Sequence, residues 1–263
     1  MIQAESNPFY GKYNTPFETT PFDKIKTEHY EPAFQKGIEE LKKEIDKISN
    51  NSEPATFDNT IVALERSGKL LDRVSGAFFN VLSANANDEM MEISQRISPS
   101  LTESSNYIYL NERLFSRVKT VYDQRETLNL NLEDRKLLEE TFRSFQEKGA
   151  NLNAKDKERY KELTKELSLL SLQFDQNALK DQNRFEMLLT DKEEVAGLPE
   201  SSLEAARFAA KEKGKEGWLF TLDAPSYVPF VRYASSRALR EKMYKAFMSI
   251  GNKGDEYDNR EII

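Results

Sequence analysis

Apolar residues recur at steps of three and four along most of this chain, with polar residues filling the positions between them. From Thr27 to Asn50, Phe34, Ile38, Leu41, Ile45 and Ile48 keep that spacing, which places them on one face of an amphipathic helix. Asn50-Asn51-Ser52 and Pro54 close it. The stripe Ile61, Leu64, Gly68, Leu71, Ser75, Phe78 and Leu82 predicts a second helix from Phe57 to Ser83. The small residues at 68 and 75 imply close approach of a neighbouring helix. Asp88 opens a third helix, and Pro99 within it predicts a kink or break, because proline lacks the amide hydrogen and its ring crowds the preceding turn. A fourth runs from about Asn111 to Thr127 with Leu114, Val118 and Val121 inward. A fifth, Glu133 to Lys148, carries Leu137, Leu138, Phe142 and Phe145, and Gly149 follows its cap. The longest, about Ala154 to Asp181, has the stripe Leu163, Leu167, Leu170, Phe174 and Ala178. Its Lys- and Glu-rich outer face reads as a solvated surface with no function of its own.

Three stretches depart from this period. Between Asn7 and Phe22, Pro8, Pro16 and Pro21 alternate with Phe9, Tyr10, Tyr13, Phe17 and Phe22. Proline at that density blocks regular helix, so an extended arm is expected, its rings packed on the main body. Phe185–Thr190 and Gly217–Leu222 read as short strands that pair as an antiparallel ribbon around a helix from Ser201 or Ser202 to about Lys213. Helices resume from Tyr227 to Ala234 and from Ser236 to Ile250. Asp258 to Ile263 reads as the opening of another helix, too short to be stable by itself, hence the expectation that the natural chain continues. The predicted organisation is an arm over 1–26, a helical domain over 27–184, and the ribbon with its helices over 185–263. No repeat of solenoid period occurs.

Composition narrows the class. Of 263 residues, 38% are hydrophobic and 32% charged, with 16 Phe and 11 Tyr. That many rings exclude a disordered chain. The 10 Gly and 9 Pro are too few for a turn-rich sandwich or barrel. A formal charge of −7, with both signs interspersed, lacks the concentrated positive field that nucleic acid or an anionic membrane needs. No apolar run approaches the roughly 18 residues of a membrane span. The absence of cysteine removes disulfides, thiolate nucleophiles and Cys-containing metal sites. Met1-Ile2-Gln3-Ala4-Glu5 has neither the basic start nor the apolar core of a signal peptide. The expected location is cytoplasmic, or periplasmic had a leader preceded Ile2.

Candidate chemistry is scarce. His29, the single histidine, lies in Glu28-His29-Tyr30-Glu31. A catalytic zinc takes three protein ligands, and HExxH needs two histidines one turn apart, so His29 reads as a local capping or packing residue. No nucleophile elbow or phosphate loop occurs, and Lys213-Gly214-Lys215-Glu216-Gly217 reads as a solvated turn. The pairs Glu39-Glu40, Glu139-Glu140 and Glu193-Glu194 point about 100° apart on a helix and cannot converge on one reacting atom. No catalytic, cofactor-binding or metal-binding residue is assigned.

Several segments nevertheless carry a pattern. Asn7-Pro8-Phe9, Pro21-Phe22-Asp23-Lys24-Ile25 and His29-Tyr30-Glu31-Pro32-Ala33-Phe34 precede Phe57-Asp58-Asn59-Thr60-Ile61-Val62-Ala63-Leu64-Glu65. Ser83-Ala84-Asn85-Ala86-Asn87-Asp88-Glu89, Ile108-Tyr109-Leu110-Asn111-Glu112-Arg113-Leu114-Phe115, Phe174-Asp175-Gln176-Asn177, Ala196-Gly197-Leu198-Pro199-Glu200 and Arg237-Ala238-Leu239-Arg240-Glu241-Lys242 follow in order. The chain thereby resembles the N-terminal region of bacterial peptidyl-dipeptidases (dipeptidyl carboxypeptidases), in the zinc metallopeptidase family of thimet oligopeptidase and oligopeptidase A. The resemblance implies a mainly α fold, the multi-helix wall of a deep channel, with a small β ribbon. It implies oligopeptide substrates, and a C-terminal catalytic domain where HExxH and a further Glu hold zinc. No such motif is present here, so zinc is expected outside this segment, and the segment alone is expected to be inactive. Two alternatives stay open: the same region of an oligopeptidase that cleaves internal bonds, or a stand-alone helical interaction module. The first reading also predicts an exposed apolar face that promotes self-association.

Overall fold

A computed structural model describes residues 7–85 and 87–263. Met1 to Glu5, read above as lacking the features of a signal peptide, and Ala86 within the 83–89 segment lie outside the described residues. The chain divides into two compact units, one up to Leu169 and one from Leu170.

The first unit begins with turns. Phe9 and Tyr13 are buried as the arm predicts, but Phe17 is 100% exposed and Phe22 is also exposed. Phe17 sits at φ 58° in the short turn Pro16–Glu18, a left-handed conformation in a segment with no buried residue. Helix α1 (Tyr30–Ser49) turns Tyr30, Ala33, Phe34, Leu41, Ile45 and Ile48 inward. Phe9, Tyr30, Phe34 and Phe78 form a cluster with ring centroids 5.0–5.4 Å apart, in which Phe78 meets Tyr30 and Phe34 edge-on and Phe9 is tilted against Tyr30, the edge-on contacts being ones that ring quadrupoles favour.

The helix expected from Phe57 to Ser83 is broken. A π-type turn, Phe57–Val62, and the single turn Ala63–Glu65 precede α2 (Lys69–Asn85). The break falls at Gly68, whose φ of +76° most residues avoid. Its N–H donates to the Glu44 carboxylate of α1 at 2.7 Å. Close helix approach belongs instead to Gly37, where a Cβ would lie 3.0 Å from the Cα of Leu71. The inward residues of α2 are Leu70, Val74, Ala77 and Phe78, with Ser75 and Leu82 only half-buried.

Helix α3 (Asp88–Tyr109) runs through Pro99 without ending. It packs against α1, and one missing backbone bond is a small loss among those of 22 residues. Asn87 caps it, accepting the Met90 N–H at 2.8 Å. Asn111 and Asn131 cap α4 (Glu112–Asp123) and α5 (Leu132–Glu147) in the same way. Gly149, at φ +91°, ends α5, and the Ala150 N–H returns to the Phe145 carbonyl at 2.9 Å. These helices close on α1 over Leu41, Ile45, Ile61, Leu114, Val118, Val121, Leu138 and Phe145.

Helix α6 (Ala154–Asn183) spans the division between the units. In the first unit it meets α3 through Asn106, whose amide donates to the Thr164 hydroxyl at 3.0 Å. Lys157 is buried and pairs with Glu112 at 2.9 Å. The expected core stripe is therefore not core: Leu163 is 46% and Leu167 63% exposed. The polar side of the helix faces α3.

The second unit holds the predicted ribbon. Strands β1 (Met187–Leu189) and β2 (Trp218–Phe220) pair antiparallel, Met187 opposite Phe220 and Leu189 opposite Trp218. Helix α7 (Glu200–Glu212) lies between them in sequence, and α8 (Ala224–Tyr233) and α9 (Arg237–Met248) follow. Met187, Leu189, Trp218, Phe220, Leu222, Phe230 and Met243 form the core. Asp258–Ile263 forms turns rather than the start of a helix. Asn259 is buried and its amide donates to the Phe174 carbonyl at 3.0 Å, a fixed tertiary bond that holds the segment in its turn. Among the described residues no helix is long and apolar enough to cross a membrane.

Candidate functional site

His29 closes the turn before α1. Its Nδ1 accepts the Lys26 N–H at 3.0 Å, and its carbonyl accepts the Asn7 side-chain amide at 2.8 Å. Among the described residues no three of His, Asp and Glu are grouped to hold a metal ion. These residues do not fit the zinc that the resemblance implies. The pair Glu39-Glu40 diverges as helix geometry requires, Glu39 meeting Lys43 at 2.7 Å while Glu40 faces Lys36 at 3.9 Å; Glu193-Glu194 lies in a turn rather than a helix. The 213–217 segment is a turn in which Lys213 and Lys215 both pair with Glu186.

What the first unit offers is surface. A cleft of about 580 Å3 between α1, α3 and α6 is lined by Lys42, Asn106, Tyr107, Leu110, Lys161 and Lys165 among others. The Tyr107 hydroxyl donates to Asp46, and Lys42 lies 5.7 Å from the Tyr107 ring. Leu163 and Leu167, one turn apart, leave an apolar stripe on α6 in contact with water. Covering a leucine is worth about 1.5–3 kcal/mol, so this pair suits docking of another surface.

The second unit carries exposed rings on α8 and α9. Tyr227 stacks on Phe247 with centroids 4.2 Å apart, and Tyr244 and Met248 are exposed. Its most constrained polar group is Asp181, fully buried at 0% exposure. Asp181 accepts from Arg184 Nε at 2.7 Å, Lys253 Nζ at 2.7 Å and the Gly251 N–H at 2.8 Å. Burial pushes its carboxyl up, but Lys253, the Gly251 amide and Arg184 outweigh that and hold it below the usual carboxylate range. This node was not read from the sequence. Its one signal is an acid in the last turn of a long helix, where the helix dipole disfavours negative charge and a cationic partner is needed.

No family model matches the chain. Dipeptidyl carboxypeptidase of Escherichia coli (strain K12) is 37% identical over 258 residues, covering 98% of this chain and 38% of that protein. Oligopeptidase A of the same organism is 32% identical over 253 residues, covering 95% of this chain and 37% of that protein. A probable cytosolic oligopeptidase A of Arabidopsis thaliana is 29% identical over 268 residues, covering 98% and 37% respectively. The chain thus spans little more than a third of the length of these curated relatives. Identity at this level along nearly the whole chain agrees with the helical architecture and its single small ribbon, and the chain belongs to the dipeptidyl carboxypeptidase and oligopeptidase A family as its N-terminal region.

Proposed function

We propose that this chain forms the substrate-channel wall of a zinc peptidase that removes dipeptides from the free C-termini of oligopeptides. The observation that carries this reading is the 37% identity, over 98% of the chain, to a dipeptidyl carboxypeptidase. In this reading the zinc and the acid–base groups belong to the remaining part of the protein. That part is the expected partner of this chain, and the exposed Leu163–Leu167 stripe suits such a docking role. The cytoplasm is the expected location. The 32% identity to oligopeptidase A favours a second reading, cleavage of internal bonds in short peptides.

The test is hydrolysis of N-acetylated octapeptides, with free or amidated C-termini, by the product of the whole open reading frame. Mass spectrometry should show losses of two residues from the free C-terminus alone, abolished by a chelator, and no turnover by the 263-residue chain. Internal cleavage of both peptides would favour the oligopeptidase reading. Absence of hydrolysis of either peptide would overturn both.

A further inference from the structure

In the first unit the N-terminal arm and α2 leave between them a recess of about 640 Å3, within the size range of ligand pockets. Tyr13 and Phe22 line it from the arm, and Arg73, Gly76 and Ala77 from α2. Two of its polar groups lack a partner among the described residues. Tyr13 is only 8% exposed, and its buried hydroxyl makes no hydrogen bond; nor does the buried Nε–H of Arg73. The other end of that guanidinium is engaged, with Nη1 donating to the Gly11 carbonyl at 3.0 Å. The guanidinium carbon lies 5.0 Å from the centroid of the Tyr13 ring. Burial raises the pKa of the Tyr13 hydroxyl, and the guanidinium pulls back against it, so the two groups act on each other.

Buried donors are nearly always satisfied, because an unmade bond there costs the full desolvation of the group. Both groups donate, so an oxygen acceptor completes them. Arg73 has no ion-pair partner among the described residues, and a charged acceptor forms the stronger bond to a guanidinium. The remaining charges balance: Lys12 pairs with Glu18 at 2.8 Å, and Asp72 offsets Arg73. Selection therefore rests on short-range bonds and not on a long-range field. Gly76 leaves room beside them, since an added Cβ would meet nothing within 4 Å, and the half-exposed Phe22 supplies an apolar wall. The segment that shields the two donors is lightly held. From Lys12 to Thr20 only Tyr13 is buried, and an ion pair as exposed as Lys12–Glu18 contributes little.

We propose that this recess binds a carboxylate, whose oxygens accept the Arg73 Nε–H and the Tyr13 O–H, with an adjoining apolar group seated over Gly76 against Phe22. The carboxylate preference rests on the recess alone. The choice of a peptide as its carrier rests on the peptidase reading. In a peptide the group is either the C-terminal carboxylate or an acidic side chain, and the experiment separates these sources.

Calorimetric titration of the 263-residue chain with 3-phenylpropanoate and with 3-phenylpropanamide tests the preference without any peptide. The acid should bind about tenfold more tightly than the amide. Three N-terminally labelled pentapeptides containing phenylalanine then identify the source by anisotropy: one with a free C-terminus and no Asp or Glu, one amidated with a Glu, and one amidated without an acid. Arg73→Gln should abolish the preference, but it also gives up the Gly11 bond, so two variants that keep that bond decide. Tyr13→Phe removes a hydroxyl that has no partner and keeps the ring; it should fold as well as the parent and weaken binding of the acid about fivefold. Gly76→Leu fills the recess without touching either donor and should weaken binding of acid and amide alike, about tenfold or more. Equal binding of acid and amide, a preference unchanged in Tyr13→Phe, or binding unaffected by Gly76→Leu would each overturn the proposal. So would a Tyr13→Phe variant that loses stability in urea with no change in binding, since the hydroxyl would then serve the fold through water. Such a failure alongside intact dipeptide release by the whole protein would leave the peptidase reading standing.

Discussion

Lys253 donates to the buried carboxylate of Asp181 at 2.7 Å, across 72 residues of sequence. Asp181 holds the Gly251 N–H as well, so one side chain ties the end of α6 to the turn after α9. Asp181→Ala leaves an ammonium and a backbone amide without their acceptor, at a cost of about 3 kcal/mol to the second unit. Trp218 is the only tryptophan of the chain and lies in that unit's core. Its fluorescence during urea unfolding reads the loss directly, and an unchanged midpoint would contradict this account.

The same carboxylate predicts a pH dependence. Its folded value lies below the usual range, so its stabilising contribution is complete above the unfolded value, near 3.9. That contribution is lost as pH falls through the lower folded value. The urea midpoint of the second unit should stay level from about pH 7 to 5 and decline below about 4. Asp181→Asn should start lower and decline less steeply.

Gly197 cannot be replaced at low cost. A Cβ there would lie 2.5 Å from the Tyr233 carbonyl oxygen and 2.6 Å from the Ser235 hydroxyl, and φ is +87°. Gly197→Ala should cost about 2–4 kcal/mol from backbone strain and overpacking together. Gly76, in the middle of α2 with nothing within 4 Å of its added Cβ, gives the opposite sign: Gly76→Ala should stabilise by about 0.5–1 kcal/mol. Chemical denaturation of the two variants checks both magnitudes.

Local signals carried most of the helical elements. Asn111, Asn131 and Gly149 mark helix ends by chemistry that acts within three or four residues, and the short ribbon sits inside the two segments expected for it. Long-range bonds were not legible. The break at Gly68 depends on Glu44, 24 residues earlier, while the apolar period passes through the break undisturbed. On α6 the period shows that Leu163 and Leu167 form a coherent face, but it does not say which surface covers that face; the structure buries Lys157 and meets α3 through Thr164 instead. The expectation that no catalytic set lies in this chain rests on residue types alone.

Glu186 offers a spectroscopic check on the ribbon. Lys213 and Lys215 donate to its two carboxylate oxygens, and they lower its pKa to about 2. An NMR titration of the glutamate carboxyls should find one resonance with a midpoint near 2, against about 4.3 for an unconstrained glutamate. In Lys213→Ala/Lys215→Ala it should return toward the ordinary value. Because the folded value is depressed, any stability it adds is present at neutral pH and is lost only as pH falls toward 2. High salt should shift the midpoint upward, since the group is exposed and its partners are screened.

The α6 stripe separates a docking face from a misplaced core. If Leu163 and Leu167 contribute little to the folded unit, Leu163→Gln/Leu167→Gln should change its stability by no more than about 0.5 kcal/mol, as for exposed positions generally. The same pair should reduce binding of an apolar dye and lower concentration-dependent self-association in sedimentation, since it removes much of the exposed apolar stripe. Both outcomes are needed. A loss of about 2 kcal/mol or more would mean that the leucines are buried in solution, against their 46% and 63% exposure. Unchanged dye binding with unchanged stability would move the docking face elsewhere, and Tyr227, Tyr244, Phe247 and Met248 of the second unit would be the next residues to vary.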